Sequence, residues 1–345
     1  MMDSNAKVWM DGRLIDGGQA TVPILSYGLH YGWGVFEGLR AYDTPRGRAI
    51  FRLRDHMVRF KDSAKVLELD VPYTVDELCR AVRQATSANG PDVDYIRPLA
   101  FYGSNGQLGL NAINVPTHVA VMCVRMGAYI KGADRGAALI TSSWEKPSNR
   151  STSLTAKVCG NYVNSIIAKK EAMRLGADEA IMLNHNGTVA EGTAENMFMV
   201  RKGVISTPGL SEGILEGITR DTVMRIASDL GYEVLERNIT RGELYIADEV
   251  FMTGTAAEVQ AVRSIDGVPV GTEVPGPVTA HLRDMYARTA RGEVGRYIDW
   301  IDLVDERAPA LVKAGTGGRS SEQGSNTDRR FLRGEEKKCP LPPTT

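Results

Sequence analysis

The chain has 345 residues, 43% of them apolar and 24% charged, with a formal net charge of −1. That is enough apolar material for two domains, or one large domain with subdomains, and the near-neutral balance creates no field that would draw in nucleic acid. No apolar run reaches membrane-spanning length, and the opening Met-Met-Asp-Ser-Asn-Ala-Lys lacks the apolar core of a signal peptide, so a cytoplasmic protein without a membrane partner is expected.

Lys7–Met10 and Arg13–Ile15 read as short strands around the turn Asp11-Gly12. Leu29 to Tyr42 is apolar and glycine-rich. A helix is expected over Leu53–Leu69, where Met57, Phe60, Ala64 and Leu67 keep helical spacing. A second helix is expected over Asp76–Ser87, with Thr74 as N-cap and Glu77 completing a capping box. Strands follow at 95–102 and 118–125, making residues 1–125 a small α+β domain. The glycine-rich stretch 126–137 reads as an interdomain loop, and 138–313 as a larger domain. Within the latter we expect a helix near 161–175, a hairpin about Asn186-Gly187, a strand 196–200, a helix 219–230 stopped by Gly231, a strand 249–253 and a helix near 276–291. Residues 314–345 are poor in apolar side chains and read as a disordered tail.

Three segments suggest carbonyl chemistry. Lys157 stands among small and apolar neighbours, where a lowered pKa would free a nucleophilic amine able to form a Schiff base. Tyr162 follows five residues later and can hydrogen-bond that amine. Glu191 ends a strand, where a carboxylate can hold a ring nitrogen protonated. Each has a plainer alternative: a surface lysine, a packed tyrosine, a solvated acid. Gly217-Ile218-Thr219-Arg220-Asp221 opens a helix and offers amides and a hydroxyl to a phosphate, or Thr219 simply caps the helix. Thr255 lies in a turn of small residues that a ligand can approach closely, and Arg59 can supply compensating charge. Tyr95 and Arg97 share one face of a strand and suit a carboxylate, or form a surface pair. The aromatic and glycine-rich run Tyr31–Arg40 suits the wall of an apolar pocket. The five histidines show no ligand spacing and the cysteines form no C-x-x-C pair, so no metal is expected.

The order of these motifs resembles the branched-chain amino acid aminotransferases of the fold-type IV pyridoxal-phosphate enzymes. The likeness covers about residues 7–305 and includes YGWGVFEGLR (31–40), FRLRDHMVRFKDSAK (51–65), YIRP (95–98), AKVCGNY (156–162), EGTAENMF (191–198), GITRD (217–221) and DEVFMTGTAAE (248–258). It implies a two-domain fold like that of D-amino acid aminotransferase, with pyridoxal 5′-phosphate as cofactor. Lys157 would hold the cofactor and move the proton, Glu191 would pair with its ring nitrogen, and Tyr162 would bond its ring hydroxyl. Arg59, Ile218, Thr219 and Thr255 would take its phosphate. Tyr95 and the amides of Ala256 and Ala257 would receive the substrate α-carboxylate. Tyr31, Phe36, Gly38 and Tyr129 would line the side-chain pocket, with Arg97 meeting the distal carboxylate of glutamate. The implied reaction passes the amine of L-leucine, L-isoleucine or L-valine to 2-oxoglutarate in a homodimer or larger homo-oligomer. The nearest alternatives share the fold: a D-amino acid or (R)-amine transaminase, or an aminodeoxychorismate lyase. Met126 and Glu216 depart from the resemblance, standing where a tryptophan and a proline are common.

Overall fold

The computed structural model describes residues 6–111, 113–127 and 135–305. The expected tail, Tyr129 and most of the 126–137 loop lie outside these residues. In chain order the first part holds β1 (Lys7–Met10), β2 (Arg13–Asp16), α1 (Tyr27–Tyr31), β3 (Gly34–Phe36), β4 (Leu39–Thr44), β5 (Gly47–Phe51), α2 (Leu53–Val66), α3 (Val75–Ala88), β6 (Tyr95–Tyr102) and β7 (Thr117–Val124). Then come β8 (Ala137–Thr141), α4 (Tyr162–Arg174), β9 (Glu179–Leu183), β10 (Val189–Gly192), β11 (Asn196–Arg201), β12 (Val204–Thr207) and α5 (Ile218–Asp229). The last are β13 (Val234–Glu236), α6 (Arg241–Tyr245), β14 (Glu249–Gly254), β15 (Glu258–Ile265), β16 (Val268–Pro269), α7 (Pro277–Ala290) and β17 (Ile301–Leu303).

These strands form two sheets. The first has eight strands in the order β17-β5-β4-β6-β7-β1-β2, with β3 also on β6. Helices α2 and α3 cover it, burying Leu53, Met57, Phe60, Leu78 and Val82 against Leu39, Ile50, Ile96 and Val121. The second has nine strands, and the pairing of β10 with β11 closes the circuit β10-β9-β8-β15-β14-β11 on itself, which leaves those strands no free edge. Along β11 and β14, Met197, Met199, Val250 and Met252 join one core while Phe198 and Phe251 join another with α5 and α7, as strand alternation requires.

Most expected elements are present with ends shifted by a residue or two. The Thr74–Glu77 capping box forms and starts α3. The Asp11-Gly12 turn has both residues at positive φ, the geometry that suits a two-residue hairpin. The first expected helix stops at Val66 rather than Leu69, because the backbone turns left-handed at Glu68. Several strands go beyond the sequence expectation, β15 and β17 among them. β15 has only a weak alternating pattern. β17 falls in the stretch assigned to the larger domain but pairs with β5, so the chain returns to the first sheet and covers its edge.

Glu249 of β14 starts α7 from outside the helix: its carboxylate accepts the amides of Val278 (2.9 Å) and Thr279 (2.7 Å). Glu249→Leu leaves those amides unpaired and removes an anion from the positive end of the helix. It should lower the unfolding free energy by about 1–3 kcal/mol, read as a lower urea midpoint. An unchanged midpoint would show that α7 does not depend on this carboxylate.

Candidate active site

Lys157 lies in the connection between β8 and α4, yet its backbone is tied to the first sheet and its helix. Its carbonyl accepts the Phe36 amide (3.1 Å), its amide donates to Ser63 Oγ (3.0 Å), and Val158 bridges to Val35. A short 3-10 turn, Cys159–Asn161, then brings Tyr162 back beside it. Lys157 Nζ donates to the Tyr162 hydroxyl at 2.7 Å and sits 5.0 Å from the centre of the Phe36 ring. Burial, reinforced by the nearby Arg59 charge, lowers its pKa to about 8. Burial raises that of Tyr162, with Glu191 adding to the effect, so the phenol stays protonated.

Two connected cavities meet at this lysine. The larger, about 490 Å³, is lined by Phe36, Gly38, Tyr95, Arg97, Met126 and Cys159 on one side and by Thr255 and Ala256 on the other. A Cβ at Gly38 would come within 2.1 Å of the Tyr95 hydroxyl, so a glycine here lets that ring lie flat against the strand. Arg97 stacks on the Phe36 ring (4.5 Å) and donates to the Tyr95 hydroxyl (3.0 Å). Its Nε is buried without a hydrogen-bond partner. Met126, a departure in the sequence, contributes a flexible apolar wall.

The smaller cavity is lined by Arg59, Lys157, Tyr162, Glu191, Ile218, Thr219 and Thr255. At one end lies the start of α5, whose N-cap Gly217 provides no side-chain cap. A Cβ at Gly217 would reach within 1.9 Å of Asn196 Oδ1, so only glycine fits. Arg59 donates from Nη1 to the Glu216 carbonyl (2.7 Å). Glu216 thus takes part through its backbone, where a different side chain is tolerated. This end combines free amide positions, a helix dipole, a hydroxyl and a guanidinium, which is an anion site. At the other end stands Glu191. A register shift in β10 between Val189 and Glu191 turns its side chain into the cavity. Two buried polar atoms at the wall, Thr253 Oγ1 and Glu195 Oε1, have no partner. A ring compound with a phosphate arm and a basic nitrogen fits this donor set from end to end.

The structure therefore brings together Arg59, Lys157, Tyr162, Glu191, Ile218, Thr219, Thr255, Phe36, Gly38, Tyr95, Arg97 and Ala256. Two expected residues do not line the cavities of this chain. Tyr31 lies on α1, 40% exposed, with its ring against Tyr27. Ala257, in the turn between β14 and β15, is a lining residue of neither cavity. Tyr129 is outside the described residues.

Three further residues belong to the site. Lys146 Nζ lies 2.6 Å from Glu191 Oε1, and Glu191 Oε2 accepts the Leu215 amide (3.0 Å) and Asn196 Nδ2 (3.2 Å). Burial works against the Lys146 charge, but Glu191 outweighs it and raises the pKa. Glu37 is fully buried beneath Arg59 and accepts from its Nε (2.6 Å) and Nη2 (2.9 Å), with His56 Nδ1 at 2.7 Å. Burial opposes the Glu37 charge, yet Arg59 and His56 together hold its carboxyl well below the usual range. Glu37 and His56 sit inside motifs already singled out, Glu37 in the link between β3 and β4 and His56 on α2, three residues before Arg59. Lys146 carries no comparable sequence signal, since only the fold sets it beside Glu191.

The family model described as amino-transferase class IV matches residues 34–265. A branched-chain-amino-acid aminotransferase of Pseudomonas aeruginosa is 44% identical over 306 residues, 88% of this chain and 99% of that one. One from Escherichia coli K12 is 40% identical, covering 87% and 97%. Among solved structures, the branched-chain aminotransferase of Thermoproteus uzoniensis with norvaline superposes with a TM-score of 0.83 at 46% identity, covering 87% and 99%. The branched-chain amino acid aminotransferase of Thermobaculum terrenum, solved in its PLP-form, superposes with a TM-score of 0.82 at 37% identity, covering 88% and 99%. The chain belongs to the class IV aminotransferase family.

Proposed function

We propose that this protein is a branched-chain-amino-acid aminotransferase that uses pyridoxal 5′-phosphate. It moves the amine of L-leucine, L-isoleucine or L-valine to 2-oxoglutarate, giving the branched 2-oxo acid and L-glutamate. The observation that carries the reading is the lysine with a lowered pKa between an anion site and a buried carboxylate, opening on a cavity that is apolar and yet holds an arginine. The cofactor, when bound, supplies a carbonyl that takes up the amine and a ring that withdraws electrons from the substrate α-carbon. Arg59, the Ile218 and Thr219 amides and Thr255 hold its phosphate, Tyr162 its ring hydroxyl, and Glu191 its ring nitrogen. Lys157 Nζ, oriented by the Tyr162 hydroxyl, would take the proton from the α-carbon and pass it to the cofactor carbon that takes up the amine. The Ala256 and Ala257 amides and Tyr95 orient the α-carboxylate. Phe36 and Gly38 shape the side-chain pocket, and Arg97 receives the distal carboxylate of glutamate.

The working form is proposed to be a homodimer. Leu29, Tyr31, Leu108 and Leu110 expose apolar surface on α1 and the loop after β6. Tyr31, absent from its own chain's cavity wall, then serves the pocket of a second copy. No helix among the described residues is long and apolar enough to cross a membrane.

Initial rates with 2-oxoglutarate as acceptor test the substrate class. L-Leucine should exceed D-alanine and (R)-1-phenylethylamine by at least about tenfold in kcat/KM, which is a difference of about 1.4 kcal/mol. Preference for either of the others would overturn the assignment. Lys157→Ala should lose the visible absorbance of the bound cofactor and activity on the order of a thousandfold. In the unaltered protein, cofactor uptake should quicken as pH rises through about 8, where Lys157 loses its proton. Full turnover by the alanine variant would remove Lys157 from its role. Light scattering should give the mass of a dimer or a multiple of it, and a fully active monomer would contradict the shared pocket.

A further inference from the structure

The proposed reading assigns the substrate α-carboxylate to the turn Thr255–Ala257, and the structure shows how that turn is held. It joins β14 to β15, whose last paired residues are Gly254 and Glu258. Three residues therefore span the hairpin, and the residue that closes it, Glu258, has φ of 56°. Hairpins of this kind favour glycine at the left-handed position, because a side chain there crowds the backbone. A glutamate in its place is a local strain that other interactions must offset.

The Glu258 side chain supplies those interactions. Its Oε1 accepts the Tyr42 hydroxyl at 2.6 Å and lies 3.9 Å from Arg40 Nη1. Arg40 in turn donates from Nη2 to the Ala256 carbonyl (3.1 Å) and to the Gly127 carbonyl (2.7 Å). Arg40 and Tyr42 are alternate residues of β4 and share a face, and Arg40 pairs in register with Tyr95 on β6. The arginine is mostly buried, so its hold on Ala256 is little weakened by water. A trans peptide is planar with its carbonyl and amide pointing in opposite directions. Drawing the Ala256 carbonyl towards Arg40 therefore turns the Ala257 amide away from it. In the functional reading above, Ala257 would then serve the carboxylate through its amide, although it lines neither cavity.

We propose that Arg40, Tyr42 and Glu258 form a positioning unit that holds the Thr255–Ala257 turn with the Ala257 amide presented to a carboxylate, and so set the preference for substrates bearing an α-carboxylate. This rests on the functional reading above. None of the three lines the cavities, so they act through the turn and not on the reacting atoms.

The informative variant is Glu258→Gly, which relieves the backbone and removes the carboxylate. The cofactor-loaded enzyme is titrated by calorimetry with 4-methylpentanoate and with the neutral 4-methylpentanamide, and melted in parallel. Expected are an unchanged or higher Tm, unchanged cofactor affinity, and carboxylate affinity reduced about tenfold while that of the amide stays within about twofold. KM for L-leucine should rise in step with kcat little changed. Glu258→Gln, which still accepts the Tyr42 hydroxyl, should recover part of the loss. If Glu258→Gly fails to fold, Arg40→Lys carries the same measurements, since lysine cannot bridge two carbonyls in a fixed plane. Equal effects on acid and amide, or none on either, would overturn the proposal. Failure of the unaltered chain to take up the cofactor would overturn the functional reading and this inference together, whereas normal uptake with no acid-selective loss overturns this inference alone.

Discussion

Everything at this site depends on a short backbone join. Lys157 belongs to the run of chain that builds the second sheet, but its amide and carbonyl are spent on Ser63 of α2 and Phe36 of β3. That places the lysine where the two sheets meet. Residues from β3, β6 and β7 therefore reach its front while β10, the 254–256 turn and the start of α5 reach its side. The join also explains the small residues around it. A Cβ at Gly32 would come within 2.8 Å of the Gly160 backbone, so the two segments can approach closely only without side chains at that point.

Electrostatics follow from the same crowding. Carboxylates buried at such a meeting point persist only if they are paired. Glu37 is matched by Arg59 and His56, Glu191 by Lys146, and Glu179 by Lys169 at 2.6 Å with Thr193 at 2.8 Å. Among the described residues no cation pairs with Glu195, and burial together with the Glu179 charge raises its pKa. Arg59 is held by two bonds to Glu37, which leaves its Nη1 edge to face the anion site. A lone arginine here would lower the Lys157 pKa further; the Glu37 charge opposes it, and the lysine settles near 8.

Much of this is legible in the sequence, and the residues that are not share one cause. Elements with strong local signals can be read directly: the Thr74 cap, the Asp11-Gly12 turn and the helical spacing through Phe60. β15 escapes because four successive residues, Val259 to Val262, are buried, and a strand covered on both faces alternates only weakly. β17 escapes because its partner β5 lies about 250 residues earlier, and such long-range pairing leaves no trace in a local pattern. The site behaves likewise. Lys157, Glu191 and the Gly217 helix start advertise their chemistry through their immediate neighbours. Lys146 does not, since its partner is set by how β8 leads past β10. Tyr31 stands in a readable motif, yet it is part-exposed on α1, because a motif specifies which residues are present and not which way they face.

The front cavity has to accept an aliphatic side chain in one half of the proposed reaction and a carboxylate in the other. A bare buried arginine would repel the first. Arg97 avoids this by lying across the face of Phe36 and 5.3 Å from the centre of the Tyr95 ring, where the aromatic faces partly offset its charge and cover its plane. The surface offered to an aliphatic group is then Phe36 and Met126, both weakly hydrated. Its donors remain in the plane, one already bonded to the Tyr95 hydroxyl and Nε still without a partner. In the proposed reaction a carboxylate would pair with the outer edge of the guanidinium and so recover part of its desolvation cost, while an aliphatic group would pack on the apolar wall. One side chain would then serve both substrates, with a polar edge and an apolar aromatic face. Tyr95 is what couples them, since its hydroxyl bonds Arg97 and its ring rests on Gly38, so any side chain at position 38 would disturb both faces at once.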